Sequence, residues 1–148
     1  MGTRTSFLCA LAAFVCSLFL SSTATLAQDA DDDVDCANAV TQVDLNICAG
    51  KDYAAADAEL NRIYREAMKA MEATDKELGS LNPAYAGALD ALKRAQRAWI
   101  PYRDGQCELA GFEARGGTLE PMLVAGCLSD LTRKRTEELK SLVQALGN

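Results

Sequence analysis

Four cysteines, Cys36, Cys48, Cys107 and Cys127, follow an export leader, and that combination constrains the chain more than any other feature. Residues 1–27 read as a signal peptide. Arg4 is its lone positive charge, an apolar run extends from Phe7 to Leu20, and Thr25-Leu26-Ala27 forms a cleavage site. The run is short for a membrane span, which takes about 20 apolar residues. Cys9 and Cys16 lie inside the leader and leave with it. Val15 and Phe14 precede Cys16 where a lipid attachment site calls for a small residue. Export leads to an oxidising periplasmic or extracellular compartment, where cysteine pairs become disulfides. The four remaining cysteines allow three pairings, and their spacing lacks the short C-x-x-C clusters of a zinc site.

Loss of the leader leaves about 120 residues, enough for one domain with a modest core, placed at residues 36–148. The leader carries one of the 15 basic residues and none of the 21 acidic ones, so the formal charge moves from −6 to −7. Such a chain repels nucleic acid and anionic membrane surfaces and suits a cationic partner. Negative charge also keeps an exported protein soluble, whatever it binds. The sequence contains no histidine. That removes Ser-His-Asp triads, Cys-His dyads and histidine-ligated metals together. No catalytic residue, metal site or cofactor is expected.

Residues 28–35 carry five aspartates and almost nothing apolar, and read as a disordered acidic leader. They lack the glycine and terminal glutamate of a calcium-binding EF-hand loop. The rest reads as helix. Thr41 with Asp44 forms a capping pair, so a short helix is expected over about 42–49, ending near Gly50. Asp52 can then cap the next helix. In that helix Leu60, Ile63, Tyr64, Ala67, Met68 and Met71 make one apolar stripe. Asn82-Pro83 resembles a cap followed by the first helical residue. Leu89, Leu92, Ala95, Gln96 and Trp99 line a second long helix, which Pro101 should kink or end early. Residues 115–121 form a loop, Pro121 can start the last helix, and Leu128, Leu131, Arg135, Leu139, Leu142 and Leu146 share a face there. The expected fold is all-α: a small antiparallel bundle of three main helices plus a short N-terminal one, stapled by disulfides.

An up-down-up bundle places Cys48, Cys107 and Cys127 at one end. This layout favours local pairs, Cys36 with Cys48 and Cys107 with Cys127. Each would close a short loop worth roughly 3 kcal/mol.

Three strings are more specific than the fold: Cys48, Tyr53 and Ala56-Asp57-x-x-Leu60-Asn61-x-x-Tyr64; then Gln96-Arg97-x-Trp99-x-x-Tyr102-Arg103-Asp104-x-x-Cys107; then Gly116-Gly117-Thr118, Met122 and Cys127-x-x-x-x-Thr132-x-x-Arg135-x-x-x-Leu139. In this order they resemble the LprI-like family of exported bacterial proteins, over residues 36–142. The family takes its name from a lipoprotein described as a lysozyme inhibitor. The chain departs from the family at Pro101, where other members keep an ordinary helix former, and it lacks the lipid anchor of the namesake. The resemblance implies the helical fold more firmly than the activity.

Asp57, Asn61, Tyr64, Arg103, Asp104 and Arg135 could be read as acids and bases. Their helical spacing beside the apolar stripe reads better as a structural polar network between helices, with an arginine crossing to a carboxylate. Trp99 reads as a core anchor. The partner-binding candidates are Arg115, Gly116, Gly117, Thr118 and Glu120, in a glycine loop tied at both bases if Cys107 pairs with Cys127. The leading expectation is an exported protein that inhibits a lysozyme-type muramidase by steric occlusion, its partner a cationic lysozyme. The alternative is a non-catalytic interaction protein of the cell envelope, binding another exported protein or a basic peptide. The oligomeric state is not legible.

Overall fold

The computed structural model describes residues 34–146. The segment read as a signal peptide and most of the segment read as an aspartate leader lie outside them. The described chain is helical, with no strand among the described residues. Helix α1 spans Gln42–Leu81, α2 spans Ala88–Gly111 and α3 spans Glu120–Leu146. Single 3₁₀ turns, Pro83–Tyr85 and Phe112–Ala114, follow α1 and α2. The helices run up, down and up, and α1 packs chiefly on α3.

The short N-terminal helix is not separate. It is the first two turns of α1, which continues through Gly50 for 40 residues, or roughly 60 Å at 1.5 Å per residue. Thr41 starts it as expected: its hydroxyl accepts the Asp44 N–H at 3.1 Å and donates to the Asp44 carboxylate at 2.7 Å. Gly50 fails to stop the helix because a mid-helix glycine costs only about 1 kcal/mol relative to alanine. Tertiary contacts on either side outweigh that. Asp52, expected as a cap, instead reaches across to α3.

Asn82 caps the turn Pro83–Tyr85, not the long helix, by accepting the Ala84 N–H at 3.0 Å. Helix α2 begins after Gly87, whose φ of 140° favours glycine. Its first amides are capped from another helix. The Asp75 carboxylate of α1 accepts the N–H groups of Gly87 and Ala88 at 2.7 Å each and of Leu89 at 3.0 Å. Those three bonds hold the Asp75 pKa below the usual carboxylate range, that from Gly87 foremost. Pro101 lies inside α2 and does not end it; the helix runs ten residues further, to Gly111.

Leu60, Ile63, Ala67 and Met71 of α1 meet Leu92 of α2 and Leu139 of α3 in the apolar core. Tyr64, Met68, Leu89, Trp99 and Val143 cover its edges. Burying each large aliphatic side chain contributes about 1.5–3 kcal/mol. The stripe expected on α3 is turned. Ser129, Thr132, Thr136 and Leu139 face inward, while Leu142 and Leu146 are exposed. Short hydroxyl side chains let α3 approach α1, where Ala56 is also buried. Thr136 donates to the Thr132 carbonyl at 2.9 Å and Ser129 to Asp52 at 2.8 Å. The Thr132 hydroxyl is buried without a partner among the described residues.

Candidate partner-binding site

Two disulfides organise one end of the molecule. Cys36 is bonded to Cys48, with Cα atoms 5.5 Å apart, and Cys107 to Cys127, at 5.3 Å. The first ties the segment before α1 to that helix. The second ties the end of α2 to the start of α3, and between them lies the glycine loop.

That loop is held at every turn. Gly117 N–H donates to the Ala114 carbonyl at 2.8 Å. Gly116 has a φ of 77°, a left-handed conformation that glycine adopts without strain. Its N–H donates to Glu120 Oε2 at 2.7 Å, while Arg115 Nη1 donates to Glu120 Oε1 at 2.8 Å. The Gly116 amide, foremost, and the Arg115 charge keep the Glu120 carboxyl below its usual range. Arg115 also lies over the Phe112 ring, 4.5 Å from its centre. From α1, Asn46 Nδ2 donates to the Thr118 carbonyl at 3.0 Å. Gly111 is required at the base, because a Cβ there would stand 2.6 Å from Val124 Cγ2.

The structure therefore sorts the five loop candidates. Glu120 is the first residue of α3 and braces the loop from below. Arg115 spends its charge on Glu120. Gly116, Gly117 and Thr118 are exposed and present mainly backbone. Leu119 and Phe112, beside them, are 38% and 53% exposed and supply apolar surface that the glycine pattern did not reveal.

The six polar-network candidates divide. Arg103 is buried although charged, at 8% exposure. It meets Asp104 Oδ1 at 2.8 Å and Asp57 Oδ1 at 3.5 Å, and its guanidinium lies over Tyr53 and Trp99 at 5.5 and 5.1 Å from the ring centres. Asn61 donates to Asp57 at 2.8 Å, completing this group. Tyr64 packs on the apolar core instead. Arg135 lies elsewhere, donating to Gln96 at 3.1 Å and Glu138 at 2.8 Å. Trp99 is half-buried, serving as both core edge and cation platform.

A second α1–α3 linkage escaped sequence reading. Asp52 accepts from Ser129 and pairs with Arg133, which together hold its carboxyl below the usual range, Arg133 foremost. Nearby, an open groove of about 440 Å³ is lined by Ala55, Ala56, Glu59, Arg133, Thr136, Glu137 and Lys140. Its charges engage opposite charges: Lys140 bridges Glu59 at 3.3 Å and Glu137 at 3.0 Å. Hydrogen bonds from Arg62, foremost, and from Lys140 draw Glu59 down to about 2. No cluster of carboxylates and cysteines able to hold a metal occurs among the described residues, and no helix among them is long and apolar enough to cross a membrane.

These features define a small three-helix domain, doubly stapled at one end, that presents a braced loop. The chain belongs to the LprI family: residues 35–139 match the family model described as "Lysozyme inhibitor LprI". It is similar to an uncharacterized protein of Rhizobium meliloti (strain 1021), with 71% identity over 114 residues, covering 77% of this chain and 82% of that protein. It is also similar to the uncharacterized protein YecT of Escherichia coli (strain K12), with 36% identity over 75 residues, covering 49% of this chain and 45% of YecT. No solved structure matches the chain.

Proposed function

We propose that this protein is an exported, non-catalytic inhibitor of a lysozyme-type muramidase, and that it acts by inserting the loop at residues 115–119 into the enzyme's open cleft. The observation that carries this reading is the bracing of an exposed glycine-containing loop by Glu120, Asn46 and the Cys107–Cys127 disulfide. A loop held in one shape loses little entropy on binding. The family's description supplies the target class. Muramidases work with carboxylates in an open cleft, which backbone and small side chains can fill. Without its leader the chain carries a formal charge of −7, which also steers toward a cationic enzyme. The export leader and the disulfides are consistent with meeting such an enzyme outside the cytoplasm.

The test is a binding titration of the oxidised protein against immobilised c-, g- and i-type lysozymes at low and high salt. Saturable binding to at least one type is expected, with an on-rate that falls as salt rises. Absence of binding to all three at micromolar protein favours the alternative, an envelope interaction protein whose partner a pull-down from periplasmic extract would recover.

A further inference from the structure

Helix α2 has a second apolar seam that the bundle leaves uncovered. Its inner side carries Leu92, Gln96, Arg103, Cys107 and Gly111. On the outer side Ala98, Tyr102, Gly105, Leu109 and Phe112 follow in alternating steps of four and three residues, the spacing of a helix–helix seam. Tyr102 is 60% exposed and Leu109 64%. One face of Phe112 is covered by Arg115, and the side chain is still half exposed. Ala98 and Gly105 lie exposed among them. Nothing lies within 4 Å of where a Gly105 Cβ would stand. The single chain has no need of glycine there, and a mid-helix glycine weakens a helix. Close approach by a second backbone does call for it.

Charge indicates what that second backbone is. A line parallel to the seam runs through Arg94, Arg97, Pro101, Asp104 and Glu108: basic in its first half, acidic in its second. Arg94 and Glu108 form no ion pair among the described residues. Among the described residues Arg97 is bonded only to the Lys93 carbonyl, at 3.2 Å. Asp104 holds Arg103 through Oδ1, and its Oδ2 has no bond among the described residues. When two helices pack antiparallel about a two-fold axis, the same flank of each meets its counterpart in reverse order. Arg94 and Arg97 of one copy then face Glu108 and Asp104 of the other. In parallel packing the two copies of this flank lie on opposite sides of the seam, so these charges would not meet. The same antiparallel register lays Phe112 over Ala91 and Gly105 over Ala98, large against small and small against small.

We infer that the outer face of α2 is a self-association surface, on which a second copy of this chain docks antiparallel to form an isologous dimer. The surface meets the loop site only at Phe112, which Arg115 covers on one face, and the inference does not rest on the inhibitory reading. A single-helix seam is a small interface, so the dimer is reversible and forms at roughly micromolar concentration or above.

Sedimentation equilibrium of the oxidised protein over about 1–500 µM, a span suited to weak interfaces, tests it. A monomer–dimer equilibrium is expected. Leu109→Asp should weaken it at least about tenfold by placing a charge in the seam. Arg94→Glu and Glu108→Arg should each weaken it several-fold, and the double variant should recover to within about threefold of wild type, because the pair is restored with its sign reversed. Circular dichroism should show all four variants fully helical, since these positions are exposed. A protein monomeric throughout the range, a dimer insensitive to Leu109→Asp, or a double variant weaker than both single variants would each overturn the inference.

Discussion

The two ends of the bundle are held together by different means. Toward the α1–α2 junction, apolar side chains from all three helices interlock: Ile63, Ala67 and Met71 with Leu92 and Leu139. At the opposite end the interior is polar. Ser129, Thr132, Gln96 and Arg103 are buried there or midway along the helices, and two disulfides hold what little apolar burial cannot. The difference shows what a small disulfide-bonded domain can use a staple for. Covalent closure frees one end from carrying a hydrophobic core, so that end can carry a loop shaped for another purpose.

Reduction should produce the largest separation between the ends. Opening both short loops should cost roughly 6 kcal/mol by the chain-entropy estimate, against a typical total of about 5–15 kcal/mol. Hydrogen exchange after mild reduction should lose protection first over residues 36–50 and 107–130, while residues 60–71 exchange later. Simultaneous loss at both ends would erase the distinction.

Leu139→Ala comes next. Its side chain is 1% exposed, and truncation should destabilise by about 2–5 kcal/mol, read from urea midpoints with both disulfides intact. Arg103→Met should cost less, about 1–2 kcal/mol, because its partners Asp57 and Asp104 remain solvated when it is gone. It should loosen the middle of the bundle and leave the loop amides protected.

The smallest expected effect is acid sensitivity. Asp75 at one end and Asp52 and Glu120 at the other have folded pKa values below their ordinary ones. Each therefore contributes stability that is present above its unfolded pKa and lost as pH falls through its folded value. The melting midpoint should stay flat from about pH 7 to 5 and decline below about pH 4. Asp75→Asn should shrink that decline and expose the first α2 amides to exchange; Glu120→Gln should shrink it and expose the Gly116 amide.

Local patterns in the sequence announced most of the fold. The stripe from Leu60 to Met71, the Thr41–Asp44 cap and the break between α1 and α2 near residues 79–82 all rest on residues a few positions apart. What stayed hidden depends on distance. Gly50 reads as a stop until the contacts of α1 before and after it are counted. Asp75 reads as a surface charge until α2 begins within its reach. The leucines of α3 outweigh its hydroxyls on any hydropathy scale, yet close packing against Ala56 and Leu60 selects Ser129, Thr132 and Thr136 for the interior. At the site, glycine marked the loop, but the brace from Glu120 and the neighbouring Phe112 and Leu119 emerged only in three dimensions.

The central claim is that the stapled end presents the loop as the inhibitory element. Lysis of a peptidoglycan suspension by a lysozyme, titrated with wild-type protein and with the Gly116→Val/Gly117→Val variant, tests it most directly. Valine cannot hold the 77° φ of residue 116 without strain, and a Cβ at residue 117 would press to 3.1 Å from the Ala114 carbonyl, so the loop must change shape while the core does not. The account predicts that wild-type protein suppresses lysis at micromolar concentration and that the variant, with a melting midpoint within a few degrees of wild type, needs at least about tenfold more. Undiminished lysis with the wild-type protein, or equal inhibition by both proteins, would contradict it.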